Sequence, residues 1–272
     1  MLYWHNGDVV EQEKVLIPVE DHGFLYGMGL FETLRTYNFV PFLFDAHWER
    51  LNKSMEALWI DFPYTKAEIE TAIQRLCRQN DAPNLYIRLN VSAGVAPLGL
   101  YAGRYETPNV TMIAKPLPTE VVPQEKQVEP IPFPRSRPEV AFRLKSHHYM
   151  NNILGKRALQ NPDAEGLFAD ENGHVVEGLV SNIFWVGPDD VLYTTPLSSG
   201  PLAGVTRKWV MEHFSVVEQS VTFEELSVAK EIWMTNSIQQ IAPVTQYGDH
   251  SFPGKDGVRF KEAWTELIRS LG

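Results

Sequence analysis

The feature that most constrains this chain is a run of prolines. Between Lys115 and Arg137 stand Pro116, Pro118, Pro123, Pro130, Pro132 and Pro134, with Pro138 just after, interrupted by one short valine-bearing stretch. Proline lacks the N–H that a helix interior or a central strand requires, so a domain boundary belongs here. The division expected is an N-terminal α+β domain over residues 1–115, an interdomain linker over 116–126 and a C-terminal domain over 127–272. A chain of 272 residues is long enough for each part to bury a core.

Local patterning fills in the two parts. Leu2 to His5, a turn at Asn6-Gly7, and Val9 to Pro18 read as a hairpin, and Leu30 to Tyr37 followed by Val40 to Phe44 reads as a second one. Asp45 stands where it would cap a helix carrying Leu51, Met55 and Leu58, and a second helix is expected over Thr65 to Gln79. Strands are expected at Leu85 to Val91 and Asn109 to Ile113. Beyond the prolines the pattern predicts a strand ending near Leu144 and a helix from Tyr149 to Gln160. A hairpin follows around Glu171-Asn172-Gly173, then strands at Ile183 to Val186 and Val191 to Thr194, and a helix from Pro201 to Phe214.

Charge and cysteine content narrow the function classes. Lys and Arg total 24 against 34 Asp and Glu, a formal net charge of −10, which argues against a dedicated nucleic-acid binder and leaves small anions as ligands. The single cysteine, Cys77, excludes an intramolecular disulfide and a cysteine-cluster metal site, and fits a reducing compartment. No signal-peptide pattern opens the chain and no apolar run reaches membrane-spanning length, so the expected location is the cytoplasm.

Four elements stand out chemically. Lys145 lies at a junction expected between strand and helix, within Phe142-Arg143-Leu144-Lys145-Ser146-His147-His148-Tyr149. The adjacent histidines do not converge readily on one metal ion, and no third ligand is spaced to help them. Leu202-Ala203-Gly204-Val205-Thr206-Arg207 is a small-residue turn entering a helix, which either connects elements or offers N–H groups and a hydroxyl to a phosphate. Glu177 precedes the apolar run Leu179 to Trp185, where a carboxylate requires an arginine in an ion pair or, alternatively, a protonated heterocycle. Arg50, in His47-Trp48-Glu49-Arg50-Leu51, is either a solvated helix residue or a phosphate grip.

Together a lysine, an isolated acid, a phosphate cradle and an arginine are what pyridoxal phosphate requires of a protein. The chain resembles the fold-type IV pyridoxal-phosphate enzymes, the group of branched-chain aminotransferase, D-amino acid aminotransferase and 4-amino-4-deoxychorismate lyase. The resemblance runs through Asp21-His22-Gly23-Phe24-Leu25-Tyr26-Gly27, Gly29-Leu30-Phe31-Glu32, His47 to Leu51, Lys145, Glu177 with Asn182-Ile183-Phe184, Leu202 to Arg207, and Ile241-Ala242-Pro243-Val244. It implies a two-domain α+β fold, with an N-terminal α/β sandwich-like domain and a β-rich C-terminal domain with helices that binds the cofactor. It also implies a homodimer with the active site between the two domains.

The same resemblance implies residue roles. Lys145 would carry the cofactor and serve as mobile base and acid, Glu177 would keep the ring nitrogen protonated, and Leu202 would pack on the ring face. Val205 and Thr206 would hold the phosphate, Arg50 would supply charge to it, and Tyr149 would contact the phenolic oxygen. Tyr26, Phe31, Arg88, His148 and Asn236 are candidates for the substrate pocket. Within the group the chain is most similar to bacterial aminodeoxychorismate lyases, through Phe142 to Asn152, Tyr26-Gly27-Met28-Gly29 and Trp233-Met234-Thr235-Asn236-Ser237. Met28 stands where many members have an acidic residue. The Asn-Tyr pair that follows the lysine in branched-chain enzymes is absent, and Leu179-Val180-Ser181 replaces the serine-rich run of D-amino acid enzymes. The implied reaction is elimination of pyruvate from 4-amino-4-deoxychorismate to give 4-aminobenzoate for folate biosynthesis. Aminotransfer from branched-chain or D-amino acids is the alternative.

Overall fold

A computed structural model of the chain describes residues 1–271. They form two compact units, Met1–Val121 with Leu144–His148, and Val122–Arg143 with Tyr149 onward.

In the first unit β1 (Leu2–His5), β2 (Asp8–Glu11), β3 (Gly29–Tyr37), β4 (Val40–Pro41), β5 (Leu85–Ser92) and β6 (Asn109–Pro116) form one antiparallel sheet in the order β2-β1-β6-β5-β3-β4. The β1–β2 turn uses Asn6 and Gly7, both at positive φ, as the two-residue hairpin that matching the strand twist requires. Period-two alternation along β5 buries Leu85, Ile87, Leu89 and Val91. Helices α2 (Phe44–Ala57) and α3 (Lys66–Gln79) pack on β3 and β1. Thr65 caps α3 in a reciprocal pair with Glu68. At α2 the expected cap fails: the helix starts two residues earlier, after Leu43 at φ 52°, and Asp45 in its first turn pairs with Lys66 instead. A short helix, α1 (His22–Tyr26), precedes β3 and ends at Gly27, whose φ is 72°.

The second unit holds β7 (Lys126–Pro130), β8 (Glu165–Ala169), β9 (Val175–Gly178), β10 (Asn182–Val186), β11 (Leu192–Thr194), β12 (Val216–Glu218), β13 (Glu231–Asn236), β14 (Gln240–Tyr247) and β15 (His250–Ser251). They form a mixed sheet in the order β12-β11-β10-β13-β14-β7-β8-β9, with β15 on β14. The sheet curls, because β9 at one end also contacts β10 in the middle through the turn Gly178–Ser181. One core gathers Val128, Leu167, Val175, Ile183, Trp185, Ile232, Met234 and Val244. Helices α4 (Met150–Ala158), α5 (Val205–His213), α6 (Phe223–Ser227) and α7 (Val258–Arg269) complete the unit.

Two expectations in the proline-rich region change. The valine-bearing stretch that interrupts the prolines is strand β7, paired parallel to both β14 and β8, and it begins at Lys126, the last residue given to the linker. The strand expected to end near Leu144 does not form; residues 139–144 run as bends and irregular backbone. Leu144–His148 instead joins the first unit, not residues 127–272: Phe31 N donates to Lys145 O at 2.8 Å and His147 N to Gly29 O at 3.0 Å.

Helix α7 has no side-chain cap at Gly257; the buried carboxylate of Glu231, on β13, accepts from Arg259 N at 3.1 Å and Phe260 N at 2.9 Å. Removing a cap that also accepts from Trp233 Nε1 leaves three donors unpaired. Glu231→Ala is therefore expected to cost about 2 kcal/mol of unfolding free energy by denaturant titration, a typical loss for a buried cap.

Candidate active site

In the first unit the backbone contact between β3 and Leu144–His148 sets the lysine. Lys145 Nζ lies 4.6 Å from the centroid of the Phe31 ring, and the Arg88 guanidinium approaches the same ring at 3.5 Å. An amine and an anion receptor thus flank one aromatic side chain. Phe31's chain neighbour, Glu32, is buried and accepts from His47 Nδ1 at 2.7 Å and from Arg50 Nε at 2.8 Å and Nη2 at 2.5 Å. Burial pushes its carboxyl up, but the Arg50 guanidinium and His47 outweigh this and hold it at about 2. Burial also lowers His47, against the hydrogen bond to Glu32. His147 packs its ring where a Cβ on Gly29 would stand and meets Asn90 Oδ1 at 3.0 Å through Nε2. Burial, reinforced by Arg88, pushes it down to about 4. His148 is exposed, with its ring against Gly27 and its Nε2 at 3.3 Å from the Tyr26 carbonyl. The two histidines therefore point to different partners.

In the second unit Glu177 is buried at the end of β9. Its Oε1 accepts from Arg135 Nε at 2.8 Å, with Arg143 Nε at 3.5 Å, and its Oε2 accepts from Leu202 N at 2.9 Å. The arginine ion pair anticipated for this carboxylate is present, supplied by two guanidinium groups. Asn182 Nδ2 donates to Leu202 O at 2.8 Å and its side chain fills the space a Cβ on Gly204 would take, which fixes the turn into α5. Helix α5 starts at Gly204 without a side-chain cap and with no acidic residue in its first turn, so Val205 and Thr206 present N–H groups that have no intrahelical acceptor. Thr206 Oγ1 is buried and lacks a partner among the described residues. Arg207 is committed elsewhere, to Thr195 O and Glu218.

The remaining candidates fall as follows. Tyr149 is half-buried at the start of α4. Tyr26 is exposed, and its hydroxyl accepts from Gly99 N at 3.0 Å. Asn236 turns its side chain inward: Oδ1 accepts from Ile238 N and Gln239 N, and Nδ2 donates to Ser181 Oγ at 3.2 Å. Sequence reasoning assigned no role to Glu32, His47, Arg135 or Arg143. Glu32 carried a signal, an acid within the apolar run Leu30 to Leu34.

The first unit thus carries an amine-bearing segment, and the second a compensated buried carboxylate and a helix terminus with an orphaned hydroxyl. The model of the amino-transferase class IV family matches residues 29–247. The chain belongs to this family. Among curated members it is 38% identical over 260 residues to the aminodeoxychorismate lyase of Bacillus subtilis (strain 168), covering 93% of this chain and 88% of that protein. Among solved structures, a branched-chain aminotransferase from Thermoproteus uzoniensis with norvaline superposes with a TM-score of 0.89 at 26% identity, covering 100% of this chain and 94% of that one. The branched-chain amino acid aminotransferase from Escherichia coli gives 0.87 at 26% identity, covering 98% and 92%. The two-domain α+β class read from the sequence is that of these class IV members.

The residues present fit a phosphorylated pyridine. A buried hydroxyl without a partner is costly unless a ligand or water satisfies it, and a helix N-terminus with free N–H groups favours an anion.

The buried Glu32 and His147 make the first unit acid-sensitive. His147, pushed from an ordinary 6.5 to about 4, contributes stability present above pH 6.5 and lost as pH falls towards 4. Glu32, pulled from 4.5 to about 2, contributes stability present above pH 4.5 and lost as pH falls towards 2. Unfolding free energy followed between pH 7 and pH 3 should fall progressively, and Glu32→Gln should flatten the steep part below about pH 4.5; an unchanged acid limb in that variant would contradict the assignment.

Proposed function

We propose that this chain is a 4-amino-4-deoxychorismate lyase, converting 4-amino-4-deoxychorismate to 4-aminobenzoate and pyruvate with pyridoxal phosphate as cofactor. The observation that carries this reading is the 38% identity to a lyase over nearly the whole of both chains. The pairing of Lys145 and Arg88 about Phe31 suits such a substrate, whose apolar ring carries both an amine and a carboxylate.

Lys145 carries the cofactor, Val205 and Thr206 bind its phosphate through N–H groups and the orphaned hydroxyl, and Leu202 packs on its ring. Arg50 adds charge near the phosphate from a guanidinium already tied to Glu32. Tyr149 contacts the phenolic oxygen. Glu177 offers its carboxylate to the ring nitrogen. When bound, the cofactor supplies an electron sink conjugated to the carbon that bears the substrate's amine. The Lys145 amine would remove the proton from C4 of the substrate, and the C3–O bond would break as the enolpyruvyl group departs. Protonation of that group, by Lys145 or His148, yields pyruvate, and the ring left behind is aromatic. No water is consumed, and aromatisation makes the step strongly downhill. Arg88 and Phe31 orient the substrate, with Tyr26 and Asn236 as further substrate contacts.

The protein acts as a homodimer. The exposed apolar side chains of Phe24, Leu25 and Tyr26 on α1 and of Val95, Leu98 and Leu100 nearby support this, since single chains seldom leave such patches open. A free, buried Cys77 fits a reducing cytoplasm.

Purified, cofactor-loaded protein incubated with enzymatically generated aminodeoxychorismate is expected to form 4-aminobenzoate and pyruvate in equal amounts, and Lys145→Ala to lose both the bound-cofactor absorbance and turnover. The aminotransferase reading, favoured by the structural neighbours, would replace this one if no product formed while branched-chain or D-amino acids converted the cofactor to its pyridoxamine form.

A further inference from the structure

The two oxygens of Glu177 have different surroundings. Oε1 has Arg135 Nε at 2.8 Å and Arg143 Nε at 3.5 Å, whereas among the described residues Oε2 has the Leu202 amide, at 2.9 Å. A carboxylate oxygen accepts about two hydrogen bonds; Oε1 takes one from Arg135 and lies in ion-pair contact with Arg143, whose Nε–H goes to Gly200 O, while Oε2 takes one from Leu202 and retains one position.

Arg135 is itself held on every side. Its Nη1 donates to Asn151 Oδ1 at 2.7 Å and Asn152 Oδ1 at 3.2 Å, both at the start of α4, and its own backbone N–H donates to Ala169 O at 2.8 Å on β8. Phe168 and Glu177 are cross-strand partners on β8 and β9, and the guanidinium lies 5.1 Å from the Phe168 ring while it bonds the carboxylate. Arg143 is fixed separately, by Gly200 O at 2.5 Å and by Ser136 O.

An ion pair kept for stability alone needs one cation, and buried pairs are seldom stronger than the apolar packing that could replace them. Here two guanidinium groups meet one carboxylate oxygen, Arg135 Nε at 2.8 Å and Arg143 Nε at 3.5 Å. Such an arrangement is costly for the fold but directs the carboxylate: with Oε1 occupied and Oε2 tied to Leu202, the side chain has one orientation.

We propose that Arg135 is a positioning residue that fixes Glu177 through Oε1 so that Oε2 is the oxygen presented to the ring nitrogen of pyridoxal phosphate. This rests on the reading of Glu177 given under the proposed function. It also ties Leu202, the residue assigned to the ring face, to the ring-nitrogen partner through one hydrogen bond.

The test compares the affinity of apoprotein for pyridoxal phosphate and for its 1-deaza analogue, in which C–H replaces the ring nitrogen, with absorbance of the bound cofactor as a second readout. General loosening of the fold weakens both ligands alike and leaves their ratio unchanged, whereas misdirection of Oε2 lowers the ratio. Wild-type protein should prefer pyridoxal phosphate, Glu177→Gln should abolish the preference, and Arg135→Gln should reduce it about tenfold, the scale of one charge-assisted hydrogen bond. Arg135→Lys, which reaches Oε1 but cannot bridge Asn151 and Asn152, should fall between the two and carries the test where the glutamine variant does not fold. If Glu177→Gln keeps the wild-type preference, the ring-nitrogen reading of Glu177 is wrong. If Glu177→Gln loses it while both Arg135 variants keep it, the reading stands and the positioning role does not.

Discussion

A carboxylate sealed in an apolar interior must be compensated, and the second unit is arranged around that requirement at Glu177. Desolvating an ionised group costs several kcal/mol unless opposite charge and hydrogen bonds replace the water, about the scale of a domain's whole net stability. Arg135, Arg143 and the Leu202 amide supply the replacement. Each comes from a different stretch of irregular backbone, and each stretch is held in turn: Arg135 by the α4 asparagines, Arg143 by Gly200 O, and Leu202 by Asn182. The stretch leading into α5 is thereby ordered with only one short 3-10 turn, Leu197–Ser199, of its own. The same constraint sets the entry into α5, where Val205 and Thr206 open the helix.

The first unit meets the requirement in its own way. Glu32 lies on β3, between Phe31 and Thr33, and is neutralised by His47 and Arg50 from α2. The pairing joins helix to sheet with directional bonds where packing alone would tolerate a rotation of the helix. It also commits an arginine that a phosphate could otherwise have claimed in full. At the preceding position of the strand, Phe31 receives Arg88 and Lys145, so a structural ion pair and the reactive amine are neighbours along one strand.

Much of this was legible in residue order. The β1–β2 turn was read from Asn6-Gly7, the α3 helix from its period and Thr65, and the β8–β9 hairpin from Gly173, because turn chemistry and periodicity are local properties. Lys145, Glu177 and Thr206 were singled out by residue type and neighbours. What failed lay around the prolines: the linker bound at 126 takes in the first residue of β7, and the strand expected to end near Leu144 does not form. Asp45 failed as a cap because Leu43, in a left-handed conformation, begins the helix earlier.

The sequence by itself determined the alternation that builds each sheet, the family to which the chain belongs and the chemical identity of the reactive groups, since these depend on residue type and short spacing. Only the tertiary structure decided that Leu144–His148 packs with the first unit, that Arg135 rather than a surface residue meets Glu177, and that Asn236 closes its own turn. The separation from Arg135 to Glu177 is 42 positions and that from Glu32 to Arg50 is 18. No local periodicity spans such gaps, and the choice of partner among several arginines is made by which backbone the folded chain brings within hydrogen-bonding reach.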